Sequence, residues 1–102
     1  MRQVPYTVEF AESVGGHFRA LTARDRTTAL AAIDRQLLRE PVKETRRRKP
    51  LRPNPIAPWE LRVSQLRVFY EVAGTESRVA RILVVGRRPR NVLTIGGKEI
   101  RL

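Results

Sequence analysis

The segment WELRVSQLRVFYEV, residues 59–72, constrains the fold most, because apolar residues recur at every second position on both sides of Ser64-Gln65. A period of two is typical of β-strands, and the two polar residues at its centre predict a tight hairpin turn. The resulting register places Arg62 opposite Arg67, although like charges that face each other across an antiparallel pair are destabilising. The hairpin therefore raises the question of what compensates two neighbouring guanidinium groups.

The predicted hairpin has two faces of different character. One face is apolar and is expected to pack against helices: Trp59, Leu61, Val63, Leu66, Val68, Tyr70 and Val72. The other face is expected to point to solvent. It carries Glu60, Arg62, Arg67, Phe69 and Glu71. A shift of one residue would bury both arginines, so the alternation specifies the register well.

The chain before the hairpin predicts one strand and two helices. Residues 7–10, TVEF, form the strand, after which the apolar period becomes helical. Asp25 is predicted to cap the second helix and Pro41 to end it. The helical stripes are Val14, Phe18 and Leu21, then Leu30, Ile33 and Leu37. Because the link at residues 22–24 is short, we expect the helices to form a hairpin.

The remainder of the chain supplies the rest of the sheet. Residues 43–58 contain six basic residues and four prolines, which predicts a loop or an edge segment. Residues 82–85, ILVV, are apolar on both faces and predict the central strand. We expect a turn at residues 74–77 and a last short strand at residues 91–95. The predicted fold class is α+β, in the order β-α-α-β-β-β(-β), with an antiparallel sheet packed on one face by an α-helical hairpin.

Length and composition restrict the classes of function. A chain of 102 residues with 41% hydrophobic residues predicts one domain over residues 1–102. No apolar run is long enough to span a membrane and no secretory signal is visible, so we expect a soluble cytoplasmic protein. With no cysteine and one histidine, His17, we expect no metal and no cofactor. His17 is predicted to be an ordinary surface residue, and Gly96-Gly97 a turn with positive φ.

Charge is the strongest indication of function. The 21 Lys and Arg residues against 10 Asp and Glu residues give a net charge of +11, which favours polyanionic partners. A phosphate that bridges Arg62 and Arg67 would remove their repulsion, because guanidinium groups bind phosphate oxygens bidentately. The alternative is that these arginines are polar residues of the solvent-exposed face of an antiparallel sheet and have no binding role.

Further candidates for nucleic-acid binding surround this pair. Arg87, Arg88 and Arg90 follow the central strand in GRRPR. An outward Phe69 could stack on a base. Lys49 ends the basic run at residues 46–49, which is either a solvated loop or a non-specific phosphate contact.

The hairpin residues WELRVSQLRVFYEV, followed by RVARILVVGRRPR, resemble the RelE/ParE superfamily of bacterial toxins from type II toxin-antitoxin modules. The first strand YTVEF and the helix end AIDRQLLREP extend the resemblance over most of the chain. Members of this family combine a sheet with a helical hairpin. Many cut mRNA in the ribosomal A site, others poison DNA gyrase, and most are neutralised by a cognate antitoxin.

The resemblance implies metal-free RNA cleavage, in which a 2′-hydroxyl attacks the adjacent phosphate and basic side chains stabilise the negatively charged transition state. Arg67 and Arg88 match the family's arginines, and Arg62 matches a commonly basic neighbour. Glu60 is a candidate general base if Arg62 holds it ionised. The candidate catalytic residues are therefore Arg67, Arg88 and Glu60, and the alternative for Glu60 is a plain surface ion pair.

The chain departs from the family in its acid-base residues. Pro58 and Glu60 stand where RelE-type nucleases carry two lysines, and Thr94 stands where they carry a tyrosine. The leading hypothesis is a ribosome-dependent mRNA endonuclease with an acidic antitoxin as partner. The alternatives are a gyrase inhibitor that cuts no RNA, or a catalytically degenerate module that binds antitoxin and operator DNA.

Overall fold

Two helices and seven strands are present in the computed structural model, which describes residues 5–73 and 78–100. In chain order they are β1 (Thr7–Phe10), α1 (Val14–Arg19), α2 (Ala23–Leu37), β2 (Arg48–Pro50), β3 (Trp59–Val63), β4 (Leu66–Ala73), β5 (Val79–Arg87), β6 (Leu93–Ile95) and β7 (Lys98–Ile100). A 3-10 turn, Pro89–Asn91, connects β5 to β6. The turn predicted at residues 74–77 lies outside the described residues.

All seven strands of the described chain join one sheet, in the order β2-β3-β4-β5-β6-β7, with β1 beside β5. Neighbours along this order are antiparallel, whereas β1 pairs in parallel with β5. The predicted hairpin register is confirmed, because Arg62 pairs with Arg67 and Val63 with Leu66. The edge segment predicted within residues 43–58 is present as the edge strand β2, whereas β7 was not predicted. The observed architecture is the predicted α+β class with a longer sheet.

The helices differ from the prediction in their cap and in their apolar stripe. Thr22, not Asp25, caps α2, because its hydroxyl accepts a hydrogen bond from the Asp25 N–H at 3.1 Å. Leu30 was predicted to be buried but is 44% exposed. The buried stripe consists of Ala29, Ile33 and Leu37. Within the described residues, neither helix is both long and apolar enough to cross a membrane.

Arg48 attaches the end of α2 to the edge of the sheet. Its Nη1 donates to the Gln36 carbonyl oxygen at 2.6 Å, and its Nε donates to the Lys43 carbonyl oxygen at 3.0 Å. Carbonyl groups in the last turn of a helix have no partner inside the helix, so a buried arginine there satisfies an otherwise orphaned acceptor. Arg48 is only 8% exposed, and the interpretation of this arginine as part of a solvated loop is therefore wrong.

The helices and one face of the sheet enclose the main core. Its fully buried members include Val14, Ala29, Ile33, Leu37, Leu61, Val68, Tyr70, Ala80, Ile82 and Val85. The Tyr70 hydroxyl donates to the Pro41 carbonyl oxygen at 2.5 Å. Burial raises the pKa of Tyr70, although the charge of Arg48 opposes the shift. Tyr70 is therefore a neutral core residue.

The opposite face of the sheet is only partly open. Ala57, Phe69 and Leu93 form a second, smaller cluster, packed against partly buried residues that include Leu83 and Ile95. Phe69 is 0% exposed, so the prediction that it points outward to stack on a base is wrong. Non-local contacts with the loop before β3 and with β6 cover this part of the face, which the alternation within the hairpin does not reveal.

Glycines shape the C-terminal end of the sheet. Gly96 and Gly97 have φ values of 61° and 81°, which confirms the predicted turn and allows β6 to pair with β7. Gly86 lies where β5 meets β6, and a Cβ atom there would approach the Thr94 carbonyl oxygen to 2.4 Å. Any larger residue at position 86 would force these two strands apart. The close strand approach thus depends on glycine.

Candidate nucleic-acid interface

The tip of the β3–β4 hairpin gathers three arginines and one glutamate on a single face of the sheet. Arg62 and Arg67 are cross-strand partners, and Glu60 lies two residues before Arg62, so all three side chains project to the same side. The Arg88 N–H donates to the Gln65 carbonyl oxygen at 2.7 Å, which extends the β4–β5 pairing beyond the end of β5. The backbone therefore brings Arg88 beside Arg67. We call Glu60, Arg62, Arg67 and Arg88 the arginine cluster.

A buried carboxylate lies between the paired arginines. The Glu60 Oε1 atom is 2.6 Å from the Arg62 Nε and 3.8 Å from the Arg67 Nε. The side chain of Glu60 is 2% exposed, that of Arg67 is 17% exposed, and that of Arg62 is 46% exposed. Glu60 thus compensates the paired arginines, because its negative charge reduces the repulsion between the two guanidinium groups. A phosphate is not required for the hairpin to form.

One carboxylate does not neutralise three guanidinium groups. Burial is the largest cause that lowers the pKa of Arg67; Glu60 opposes this shift, and the charges of Arg62 and Arg88 add to it. Arginine nevertheless stays protonated, so the repulsion among the guanidinium groups is not relieved by loss of a proton and the cluster keeps an excess of positive charge. The Nε atoms of Arg67 and Arg88 are shielded from solvent and make no hydrogen bond within the described residues. Such a cluster favours an incoming anion.

Backbone contacts hold Arg67 in a defined position. Its Nη1 donates to the carbonyl oxygens of Ser64 and Leu66, each at 2.8 Å. Ser64 itself has a φ of 54°, as the tight two-residue turn requires. An arginine that is already ordered loses less conformational entropy when it binds a ligand. Arg67 is thus preorganised, whereas the more exposed Arg62 is free to change partners.

The other two predicted arginines, Arg87 and Arg90, lie outside the arginine cluster. Arg87 contacts the N-terminal turn of α2, since its Nε is 3.5 Å from the Asp25 Oδ2, and its Nη2 donates to the Gln65 Oε1 at 3.1 Å. Arg90 is exposed in the 3-10 turn, with a φ of 52°. Of the three arginines in GRRPR, the structure therefore brings Arg88 to the cluster.

Lys49 occupies the row beside the arginine cluster. It pairs with Glu60 across β2 and β3, which places both side chains on one face. Its Nζ lies 3.5 Å from the Glu44 Oε2, in a pair that is largely exposed on the glutamate side. Exposed pairs of this kind contribute little free energy and exchange partners easily. Lys49 extends the positive surface without belonging to the cluster.

Two residues that the sequence did not single out for this region also have defined positions. The Arg47 carbonyl oxygen accepts from the Arg62 N–H at 2.7 Å, whereas its exposed side chain lines a pocket beside α2 together with Gln36. His17 is not an ordinary surface residue, because its Nδ1 accepts a hydrogen bond from the Val85 N–H at 3.3 Å. Burial lowers the pKa of His17, which favours this neutral acceptor form. Neither contact is visible in a sequence motif, because each joins distant segments.

Metal ligands are not grouped at this surface. Within residues 5–73 and 78–100, no three His, Cys, Asp or Glu side chains are close enough together to hold a metal ion. The chemistry that the cluster itself offers is cationic, namely hydrogen-bond donation to an anion and electrostatic stabilisation of negative charge.

Comparison with known proteins gives one informative match. No family model and no curated protein matches the sequence. Among solved structures, a chain of the toxin-antitoxin complex RelBE2 from Mycobacterium tuberculosis is similar, with 30% sequence identity and a TM-score of 0.67. The alignment covers 83% of the present chain and 100% of that chain. The similarity thus spans the whole of the solved chain in both sequence and fold.

Proposed function

Because this chain belongs to the RelE/ParE superfamily of toxins, we propose that it is the toxin of a toxin-antitoxin module and that it cuts mRNA on the ribosome. The observation that carries the proposal is the arginine cluster, in which Arg62 and Arg67 flank one buried carboxylate and Arg88 adds a third positive charge near Arg67. The excess positive charge on this surface is suited to the phosphate of a single RNA strand.

In the proposed reaction, the 2′-hydroxyl of a bound nucleotide attacks the adjacent phosphate, and the bond to the next 5′-oxygen breaks. The products are a 2′,3′-cyclic phosphate and a 5′-hydroxyl, whose oxygen takes its proton from solvent water. Arg67 and Arg88 stabilise the negative charge that develops on the phosphate oxygens, which is usually the largest catalytic contribution in such sites. Arg67 is suited to this role because its contacts with Ser64 and Leu66 already hold it in place.

We assign Glu60 two successive roles, one before RNA binds and one after. In the free protein it holds Arg62 through the 2.6 Å contact and is almost completely shielded from solvent. When RNA binds, the half-exposed Arg62 moves onto the phosphate, and the uncovered Glu60 carboxylate accepts the proton of the 2′-hydroxyl. Arg62 thus controls access to the general base.

The proposed protein partner is an acidic antitoxin. The solved neighbour is a toxin-antitoxin complex, and the present chain carries a net charge of +11. An acidic segment that covers the arginine cluster would compensate Arg62, Arg67 and Arg88 and would exclude mRNA at the same time. Neutralisation by occlusion follows from this arrangement.

The proposal is tested by inducing the protein in bacteria and following growth together with the 5′ ends of mRNA. The wild type is expected to arrest growth and to produce new mRNA ends at codon positions, whereas Arg67→Ala and Arg88→Ala are expected to do neither. Arg39→Ala, which removes an exposed arginine after α2, serves as the matched control and should remain toxic. Circular dichroism confirms that each variant folds. Continued toxicity of both cluster variants would refute the proposal.

The second candidate is inhibition of DNA gyrase without RNA cleavage. Its supporting observation is the burial of Glu60, together with Pro58 and Thr94 at the positions of the family's lysine and tyrosine, which leaves the free protein without an accessible proton acceptor in the described arginine cluster. Under this candidate, induction would trigger the SOS response and leave mRNA ends unchanged. The same induced cultures therefore discriminate between the two functions.

A further inference from the structure

A cavity of about 380 Å³ lies on the same side of the sheet as the arginine cluster. It is formed by the loop at residues 51–58, which covers part of the face, and by side chains from β4 and β5. Its apolar walls include Ile56, Pro58 and Leu83. Concave apolar sites with a few polar groups are typical of small-ligand and base-binding pockets.

The loop that forms the cavity is held in place by one side chain. The Asn54 Oδ1 accepts from the N–H groups of Ile56 and Ala57, at 2.8 and 3.0 Å. Its Nδ2 donates to the carbonyl oxygens of Arg52 and Ala57, at 2.7 and 2.9 Å. Ala57 in turn packs on the buried Phe69. The cavity is therefore preformed, and a ligand need not order the loop when it binds.

Two charged residues lie at the cavity, and their signs differ. Arg52 is an exposed lining residue, whereas Glu71 is partly buried in the wall. Glu71 makes no ion pair and no side-chain hydrogen bond within the described residues. An ionised carboxylate can only accept hydrogen bonds, so Glu71 would favour a ligand that donates one over a ligand that presents only an acceptor.

The cavity is within reach of an RNA strand bound at the arginine cluster. Glu71 and Arg67 belong to the same strand, β4, and are four residues apart, so their side chains are on the same face. The rise of a β-strand puts them about 14 Å from each other. Phe69 lies between them beneath the surface. The distance exceeds one nucleotide step, so the base in the cavity would belong to a nucleotide further along the strand than the one bound at the cluster.

We propose that this cavity is a nucleobase subsite that prefers a base with an exocyclic amino group, such as cytosine, over uracil. The base would lie between the apolar walls, the amino group would donate to the Glu71 carboxylate, and Arg52 would contact the phosphate of that nucleotide. Uracil carries a carbonyl oxygen where cytosine carries the amino group, and that oxygen faces the carboxylate unfavourably. This inference rests on the proposed RNA-directed function and adds a preference for sequence.

The test compares two short RNA strands that differ at the relevant group, oligocytidine and oligouridine, by fluorescence anisotropy with the intact protein at low salt. The wild type is expected to bind oligocytidine about tenfold more tightly, which corresponds to one good base contact. Glu71→Gln is expected to remove this difference, because an amide both donates and accepts. Glu99→Gln removes an exposed carboxylate on β7, outside the cavity, and should retain the wild-type preference.

The outcomes separate the subsite from the proposed function. Equal binding of both strands by the wild type, or an unchanged preference in Glu71→Gln, would overturn the subsite even if the protein cuts mRNA. A preference that depends on Glu71 would support the subsite even if induction of the protein leaves mRNA intact, in which case the cleavage proposal alone would fall. Failure to bind either strand at low salt would overturn both.

Discussion

The two faces of the sheet satisfy their polar groups in different ways. On the helix-covered face the Tyr70 hydroxyl donates to the Pro41 carbonyl oxygen and Arg48 donates to that of Gln36. The shielded Arg87 Nε makes no hydrogen bond in the described chain, but it lies 3.5 Å from the Asp25 carboxylate. On the opposite face, near the hairpin tip, the buried Glu60 pairs with Arg62 and Arg67, and Arg88 adds a third positive charge. The shielded Nε atoms of Arg67 and Arg88 have no hydrogen-bond partner in the described chain. One face therefore stabilises the fold, whereas the other retains uncompensated charge.

This difference shows that the arginine cluster is less favourable for stability than the helix-covered face. Buried polar groups without hydrogen-bond partners are destabilising, and two of them beside an excess of positive charge are typical of an anion site. An anion that bound between Arg67 and Arg88 would supply the missing acceptors. Substitutions on the helix-covered face should therefore change stability alone, whereas substitutions in the arginine cluster should change stability in a way that depends on anions.

The largest expected effect comes from the helix-covered face. Leu61 is 0% exposed in the main core, and Leu61→Ala should lower the free energy of unfolding by about 3 kcal/mol, because it leaves a cavity. Urea unfolding measures this loss. The comparison variant is Arg62→Ala, one residue further along β3 and on the other face. It should cost about 1 to 2 kcal/mol, because Arg62 is nearly half exposed but its loss leaves the buried Glu60 carboxylate without the hydrogen bond that Arg62 donates. Equal losses would contradict the distinction between the faces.

The next largest effect is expected from the buried carboxylate. Glu60→Gln keeps the shape of the side chain but leaves the three arginines without a negative charge, and we expect a loss of about 2 kcal/mol after allowing for the exposure of Arg62. Added inorganic phosphate should recover part of the loss, because it binds the folded state. Thermal unfolding with and without phosphate tests both statements. A variant as stable as the wild type, or a loss that phosphate does not reduce, would be the contrary result.

A smaller effect should follow from one hydrogen bond on the helix-covered face. Tyr70→Phe removes the hydroxyl that donates to Pro41 and should cost about 1 kcal/mol, since the ring still fills the core. Urea unfolding in buffers with and without phosphate measures the change. Unlike the loss of stability in Glu60→Gln, the loss in Tyr70→Phe should be the same with and without phosphate. Recovery by phosphate would show that anions stabilise the protein from elsewhere.

The smallest effect concerns pH. Burial lowers the pKa of His17 below its ordinary value of 6.5, so the unfolded chain takes up this proton at a higher pH than the folded protein does. The contribution of His17 to stability is therefore complete above pH 6.5 and is lost as the pH falls toward the folded-state pKa. His17→Asn keeps an acceptor for the Val85 N–H but cannot titrate, so its stability should depend less on pH between about pH 8 and about pH 5. Identical pH profiles would contradict this assignment.

Local periodicity predicted those parts of the fold whose determinants are close in sequence. The register that pairs Arg62 with Arg67 follows from a period of two and a two-residue turn, because a shift would invert every side chain. The buried face of α2 was predicted less well. A hydrophobicity pattern places Leu30 on that face, whereas the helix packs the small Ala29 against the sheet. Close approach of a helix to a sheet depends on side-chain size as well as on polarity.

The candidate site was predictable in its arginines and not in their surroundings. Arg62, Arg67 and Arg88 follow from strand register and from the residues after β5. The burial of Phe69 depends on the loop at residues 51–58, whose position over the sheet is set by Asn54 and by non-local packing. Arg48 likewise reaches Gln36, twelve residues earlier, from within a basic run that looks solvated. Contacts of this kind have no periodic signature.

The central claim is that the arginine cluster binds the phosphates of a single RNA strand, and the salt dependence of binding tests it most directly. For the wild type, the logarithm of the binding constant for a short unstructured RNA should fall linearly with the logarithm of salt concentration. Arg67→Ala should weaken binding and reduce the magnitude of this slope by about 0.7, the value for one phosphate contact on a single strand. Arg39→Ala should leave the slope unchanged. Equal slopes for the wild type and Arg67→Ala would contradict the claim.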